Sequence, residues 1–527
     1  MLFADVVRTS EAVRATRSRK TKVAALAELL RAAESAELAP VVAWLSGELR
    51  QGRIGTGWRT LTGVRVPPAL DAALEVATVD AIFDELAAVS GAGSGNRRKE
   101  LLTRLWSAAT GPEQEFLLRL LTGELRQGAL TALVAEAVAV AADVPVEQVR
   151  RAYMLSGQLP VTAEAALRGG AAALAEFRLE VGRPIQPMLA APGASLEEAM
   201  TEFGGEVSVE HKLDGARIQV HRDGDRIAVF TRTLRDITAG VPELVELVAR
   251  LDCTSVVLDG ETLALTDAGR PRPFQETMSR FATADPARAA EVDLPPGTPV
   301  VPPVSSTREL LLHPYFFDCL HLDGRDLLDA PLSERRAALL AVAGEHAIPA
   351  LIRPEAEAAA EYFDGALAAG HEGLMVKSLS APYAAGRRGR SWQKIKPTHT
   401  LDLLVLGAEW GYGRRTGYLS NLHLGARDPR TGEPVMVGKT FKGLTDALLA
   451  WQTAEFPRHE RARDEHTVYL WPELVVEIAL DGVQVSPRYP GGVALRFARM
   501  VRYRPDKTPD QAIPCAACCP DPVRRAL

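Results

Sequence analysis

The apolar pattern of this chain changes period once, abruptly, near residue 183. Upstream, apolar residues recur every three or four positions, as in Val23-Ala24-Ala25-Leu26-Ala27-Glu28-Leu29-Leu30 and Leu101-Leu102-Thr103-Arg104-Leu105-Trp106. Set among Ala, Leu, Glu and Arg, that spacing predicts helices from about residue 20 to 175. Downstream, short runs alternate with a period of two, the mark of half-buried strands. Between the two lies Arg183-Pro184-Ile185-Gln186-Pro187-Met188, whose prolines end a helical segment. A chain with two incompatible periods must be multidomain, and 527 residues allow roughly three to four domains with cores of their own.

Composition excludes several classes. With 47% hydrophobic and 24% charged residues the chain reads as globular rather than disordered. No apolar run approaches the roughly 20 residues of a membrane span, and residues 1–20 lack the apolar core of a signal peptide. The few cysteines (Cys253, Cys319, Cys515, Cys518 and Cys519) suit a reducing cytosol. The net charge of -6 argues against a uniformly basic surface, but basic residues cluster at Asn96-Arg97-Arg98-Lys99 and in the last fifth of the chain.

The helical part carries an internal repeat. Gly47-Glu48-Leu49-Arg50-Gln51-Gly52 recurs as Gly123-Glu124-Leu125-Arg126-Gln127-Gly128, each copy closing an apolar helical run. One reading is a duplicated packing unit; the other is a pair of turns gripping a duplex. Gly91-Ala92-Gly93-Ser94-Gly95 before the basic run favours the second, since a glycine-rich turn lets backbone N–H groups approach phosphate while cations neutralise it. A flexible linker is the bland alternative there.

In the strand-rich part, Glu210-His211-Lys212-Leu213-Asp214-Gly215-Ala216-Arg217 joins two alternating runs, so Lys212 sits where a strand meets a turn and can point into a pocket. Asp223-Gly224 reads as a hairpin turn. Further on come Phe230-Thr231-Arg232, Leu258-Asp259-Gly260-Glu261, Tyr315-Phe316-Phe317-Asp318, Glu372-Gly373-Leu374-Met375-Val376-Lys377 and Trp392-Gln393-Lys394-Ile395-Lys396. Each alone has a plain reading: a solvated strand-end carboxylate, or a lysine pair two residues apart on an outer face. Residues from about 282 to 310 are rich in Ala and Pro and read as a surface loop. Past Pro397, runs such as Leu401-Asp402-Leu403-Leu404-Val405-Leu406 and Leu474-Val475-Val476-Glu477-Ile478, with a helix near Thr445 to Trp451, suit a small β-barrel of the oligonucleotide-binding type.

Taken in order, these stretches resemble the motif series of covalent nucleotidyltransferases, and most closely the ATP-dependent DNA ligases. Arg502-Tyr503-Arg504-Pro505-Asp506-Lys507 looks like their C-terminal R-x-D-K motif. Gly438-Lys439-Thr440-Phe441-Lys442-Gly443 and the helical N-terminal region resemble the three-domain archaeal and eukaryotic type, with this chain a bacterial, actinobacterial member. The likeness spans about residues 20 to 510. It implies a helical DNA-binding domain over 1–178, an α+β nucleotidyltransferase (adenylylation) domain over 179–396, an OB-fold domain over 397–512 and a tail over 513–527.

The resemblance also assigns roles. Lys212 is the nucleophile, and its attack on a nucleotide α-phosphate requires a neutral amine, which desolvation and nearby cations favour. Glu210 and Phe317 hold adenine, with Met375 on the other face of the ring. Arg217 and Arg232 sit near ribose and phosphate. Glu261 and Glu372 serve Mg²⁺ or the ribose. Arg388, Lys394 and Lys396 hold triphosphate oxygens, joined by Arg504, Asp506 and Lys507 from the barrel. Arg97, Arg98, Lys99, Arg496 and Arg499 contact DNA. The implied substrates are ATP with Mg²⁺ and nicked double-stranded DNA, handled by a monomer in the cytoplasm at the nucleoid, with the barrel rotating about a hinge near Lys396-Pro397. An RNA ligase or capping enzyme, or an inert DNA-binding protein with a ligase-like core, are the alternatives. Cys515-Ala516-Ala517-Cys518-Cys519 falls outside the resemblance and lacks a fourth zinc ligand.

Overall fold

The computed structural model describes residues 1–513 apart from 53, 58–59, 62, 65, 92, 126–129, 268, 273–275, 279, 281–310, 386–387, 398, 413–414, 429–430, 487 and the side chain of Arg388. The expected loop over 282–310, the cysteine-bearing tail, the end of the second repeat copy and the Arg388 contact lie outside the described residues. The chain divides into two compact units. The first holds Met1–Ala284, Glu309–Gly365 and Met375–Lys394; the second holds Ala366–Leu374 and the chain from Ile395 onward. Among the described residues, no helix is long and apolar enough to cross a membrane.

The first unit begins with helices Phe3–Ala15, Arg19–Ala32, Ser35–Leu45, Val76–Ala88, Ser94–Ala108, Gly111–Leu121, Leu130–Ala142, Val146–Ser156 and Leu159–Ala175. The helical region therefore starts at Phe3 rather than near residue 20. Phe3, Val6, Val7 and Val13 carry the same spacing and are buried, which sequence reading passed over because polar residues fill the gaps between them. Four rings knit the core: Phe3 meets Trp44 and Phe116 edge-on at centroid distances of 5.5 and 5.6 Å, and Trp44 meets Phe83 at 5.8 Å.

The repeat is a repeated helix ending. After Ser35–Leu45, the Glu48 N–H donates to Ala43 O and the Gly47 N–H to Trp44 O; after Gly111–Leu121, Glu124 donates to Arg119 O and Gly123 to Leu120 O. Gly47 and Gly123 take φ of 80° and 70°, the left-handed geometry this cap needs. In the first copy, Arg50 and Gln51 are turned onto Asp80 and Asp84 of the helix Val76–Ala88. That pairing supports the packing-unit reading of this copy.

The rest of the first unit is two sheets with helices against them. Its strands are β1 (Leu189–Pro192), β2 (Val207–Lys212), β3 (Ala216–Asp223), β4 (Arg226–Thr231), β5 (Ser255–Ala264), β6 (Leu312–Leu322), β7 (Arg325–Asp326), β8 (Ala350–Ile352), β9 (Gly373–Ser378) and β10 (Arg388–Ile395). One sheet runs β1-β10-β9-β2-β8 and the other β4-β3-β5-β6-β7. Asp223-Gly224 is the β3–β4 turn, with Gly224 at φ 58°. Because β2 belongs to one sheet and β3 to the other, the Lys212–Gly215 turn lies where the sheets meet. The helix Val146–Ser156 packs here too: Met154 and Leu155 are buried with Ile185, Met188, Tyr383 and Trp392 in one apolar cluster.

The second unit carries β11 (His399–Trp410), β12 (Leu419–Arg427), β13 (Pro434–Thr440), β14 (Glu460–Arg463), β15 (Thr467–Leu470), β16 (Val475–Leu480), β17 (Gly482–Val485), β18 (Val493–Arg496) and β19 (Arg499–Tyr503), with a helix at Asp446–Glu455 capped by Thr445. β11 is the long central strand. Its first half pairs with β16 and its second half with β12 and β15, so the sheet bends around it. Leu403, Val405, Leu422, Leu424, Val476 and Ile478 fill the inside of the bend.

Candidate active site

β2 delivers Lys212 to a tight turn, and β5 limits what that turn can be. A Cβ on Gly215 would sit 2.3 Å from the Thr262 carbonyl oxygen and 2.6 Å from Leu263 Cδ2, so only glycine lets the turn lie on β5. The Gly215 N–H donates to Glu261 Oε1 at 3.2 Å. Glu261 stands opposite Arg217 in the β3–β5 register. Burial pushes its carboxyl up to about 7, against the nearby charges of Lys212 and Arg217, which pull it down.

Arg217 is committed to a buried network. Its Nε and one terminal nitrogen donate to the two oxygens of Asp259 at 3.0 and 2.6 Å, and the other terminal nitrogen donates to Met188 O at 2.7 Å. The Tyr383 hydroxyl donates to Asp259 at 2.7 Å and accepts from the Met188 N–H at 2.9 Å. Burial opposes the Arg217 charge, but Asp259 outweighs it and holds the guanidinium above its usual value. The guanidinium carbon lies 5.4 Å from the centre of the Phe317 ring.

Glu210 is buried and fully engaged. It accepts from Ser208 Oγ at 2.9 Å, pairs with Lys377 Nζ at 2.5 Å and has Arg336 at 3.7 Å. Lys377 Nζ in turn lies 4.5 Å from the Phe317 ring centre and 4.4 Å from that of Trp392. Below this layer Asp318 and Arg335, both fully buried, form a two-point ion pair at 2.7 and 3.0 Å. On the opposite face of β2, His211 stacks on Tyr362 at 4.4 Å. The first unit thus brings Lys212, Glu210, Arg217, Glu261 and Phe317 together, and Met375 and Phe317 both pack against the apolar cluster of Met188, Tyr383 and Trp392. Lys394 is on β10, half-buried, and Arg232 is exposed just past β4.

Lys396 is not a strand-face partner of Lys394, because β10 ends at Ile395. It belongs to the second unit, where its Nζ donates to Glu372 at 3.1 Å and to Asp481 at 3.0 Å, and Arg496 lies 3.9 Å from Glu372. Arg504 donates to both oxygens of Asp506, at 2.9 and 2.6 Å, and to Asp402 at 3.0 Å; Lys507 also pairs with Asp402. Arg504 holds the Asp506 carboxyl down at about 2. Arg499 is exposed, and Arg502 pairs with Glu477 at 2.7 Å. Arg502 and Arg504 are thus met by Glu477 and Asp402 from neighbouring strands. In the helical region Arg97 faces Glu85 and Glu100, Arg98 donates to Val89 O at 2.6 Å and Lys99 is exposed.

Sequence reasoning missed Asp259, Tyr383, Lys377 and Asp402. The first and third lie inside motif stretches but were passed over for neighbours. Tyr383 and Asp402 carry no local signal, because their partners are 124 and 102 residues away. Among the described residues no cluster of three or more His, Cys, Asp or Glu could hold a metal ion.

Three family models match in chain order: "DNA ligase N terminus" over residues 62–139, "ATP dependent DNA ligase domain" over 187–396 and "ATP dependent DNA ligase C terminal region" over 415–507. A "Probable DNA ligase" of Nocardia farcinica is 99% identical over 512 residues, 97% of this chain and 98% of that one. One of Rhodococcus opacus is 68% identical over 508 residues, covering 96% and 97%. Among solved structures, Pmar-Lig_Pre shares the fold at a TM-score of 0.60 and 15% identity, over 95% of this chain and 99% of that one. On these matches, and with the turn, strands and charged layers in motif order, the chain belongs to the family of ATP-dependent DNA ligases.

Proposed function

We propose that Lys212 is the residue that carries AMP in this ligase. The observation behind this is the convergence of the Lys212 turn, Glu261, the Phe317 ring and the Glu210–Lys377 pair within the first unit. In the first step Lys212 Nζ attacks the α-phosphorus of ATP. An N–P bond forms, the bond to the bridging oxygen breaks, pyrophosphate leaves with the electron pair and the amine gives up a proton. In the second step a 5′-phosphate oxygen takes the AMP and Lys212 recovers its proton. In the third a 3′-hydroxyl attacks that phosphate, loses its proton and releases AMP. Each step needs cations around a crowded phosphorus, the work we assign to Arg232, Arg388, Lys394, Lys396, Arg504 and Lys507.

Mg²⁺, for which Glu261 and Glu372 are the candidate carboxylates, would screen the phosphate oxygens. The Phe317 ring stacks on adenine. Arg217 acts from beneath by fixing that ring and the Met188 backbone. The bent sheet of the second unit is read as an OB-fold that turns about a hinge near Lys396-Pro397; Arg496 and Arg499, and separately Arg97, Arg98 and Lys99, contact the DNA backbone. The enzyme works as a cytoplasmic monomer on nicked duplex. Membership of the DNA ligase family sets aside the RNA ligase and capping-enzyme readings.

The test is incubation with α-labelled ATP and Mg²⁺, wild type beside Lys212→Ala, followed by denaturing electrophoresis. Label on the wild type alone, transferable to nicked DNA, is expected. Equal labelling of Lys212→Ala would remove Lys212 from the role, and no label on either would point to an inert core.

A further inference from the structure

We propose that Asp402, on β11, is a positioning residue for adenylylation, holding Arg504 and Lys507 together as a two-cation fork that receives the triphosphate. The inference rests on the reading that those two cations act on ATP. It adds a residue that the motif series does not contain.

The geometry is specific. Asp402 gives one oxygen to each cation: Oδ1 accepts from Arg504 at 3.0 Å and Oδ2 from Lys507 Nζ. Asp506 already meets Arg504 with two bonds, through Nε and one terminal nitrogen. The remaining terminal nitrogen is the one turned to Asp402, and that choice fixes the plane of the guanidinium. Lys507 is a point charge on a long flexible stem, and an anchoring carboxylate is what gives such an amine a direction.

The surrounding strands are built around this carboxylate at some expense. Asp402 stands directly opposite Glu477 across the β11–β16 ladder, and Glu477 opposite Arg502 across β16–β19. Two carboxylates directly opposite one another repel. The arrangement is tolerable because Arg504 lies 3.0 Å from Asp402 and 3.7 Å from Glu477, while Arg502 pairs with the same Glu477 oxygen at 2.7 Å. The backbone is pinned as well: the Ile513 N–H donates to Asp402 O at 2.9 Å and the Arg504 N–H to Val475 O at 2.8 Å. Asp402 also lines a cavity of about 400 Å³ with Arg427, Asp510 and Gln511. Solvent therefore reaches the carboxylate, and phosphate oxygens can take over its cations without unpacking the barrel.

The experiment separates the steps of the reaction. Adenylylation is followed with α-labelled ATP over a range of ATP concentrations, and sealing is followed on a nick that already carries AMP on its 5′-phosphate. The proteins are wild type, Asp402→Asn, Asp402→Glu and Lys507→Ala. For Asp402→Asn, kcat/KM of adenylylation falls about ten- to a hundredfold, the size of effect that misplaced charged groups produce, while sealing of the adenylylated nick is retained. Asp402→Glu recovers most of the loss. Adenylylation by Asp402→Asn at or above the wild-type rate, with Lys507→Ala impaired, would overturn the positioning role alone. Normal adenylylation by Lys507→Ala would instead bring down the reading beneath it. A parallel fall in both reactions for Asp402→Asn would mark the residue as structural and also overturn the proposal.

Discussion

Replacing Asp259 by Asn tests whether the layer under the catalytic turn is held by charge or by shape. Asp259 is fully buried and accepts three hydrogen bonds, two from Arg217 and one from Tyr383. Asn keeps the volume but removes the charge. It also places an NH₂ group against a donor, so at least one of the three bonds is lost and the Arg217 charge, 15% exposed, loses its hydrogen-bonded counter-ion. Removing one partner of a buried ion pair costs about 3–5 kcal/mol. At about 2–4 °C per kcal/mol for a domain of this size, the thermal midpoint should drop by roughly 6–20 °C. The assay is thermal unfolding of Asp259→Asn, with Arg217→Met and the Asp259→Leu/Arg217→Met double variant beside it. The double variant should be less destabilised than Asp259→Asn, because no unpaired charge remains. A midpoint within 2 °C of wild type for Asp259→Asn, or a double variant less stable than Asp259→Asn, would refute the argument.

Two further outcomes follow from the turn. Gly215→Ala drives a methyl into the Thr262 carbonyl and should cut adenylylation about a hundredfold; Gly224→Ala, at a hairpin with open space around it, should cost only about 1 kcal/mol of stability and no activity. Glu261 has a carboxyl raised to about 7 from 4.5, so folding favours its protonated form. That contribution is whole below pH 4.5 and is lost as pH rises through 7. Glu261→Gln should therefore stabilise the protein relative to wild type at pH 8, by on the order of 3 kcal/mol, and much less at pH 5; equal gains at both pH values, measured by denaturant unfolding, would contradict the shift.

Local pattern and long-range partnership account for what could be read in advance. The period change at Arg183–Met188 exposed the division into helical and strand-rich parts, and the motif order exposed the family. Helix Phe3–Ala15 escaped because its apolar stripe is thin. Lys396 was placed on a strand face because i and i+2 alternate only while the strand lasts, and β10 stops one residue earlier. The partners of the C-terminal basic residues could not be read from the sequence for a general reason. In a sheet the neighbour of a residue is across the ladder, so Arg502 is answered by Glu477 and Arg504 by Asp402, far away in sequence.

The helix Val146–Ser156 lies in the stretch between the first two family-model matches, which end at 139 and resume at 187. Its Met154 and Leu155 nonetheless form part of the floor under Tyr383 and Trp392. A catalytic fragment cut at the nominal boundary near 179 would leave Ile185, Met188 and Trp392 facing water, with no substitute for the lost side chains. Such a fragment should be sticky and short-lived, while one that begins before Val146 keeps its own lid. The inter-match segment thus belongs to the enzyme's foundation, and a gene fusion or truncation that treats it as spacer would undermine the site above it.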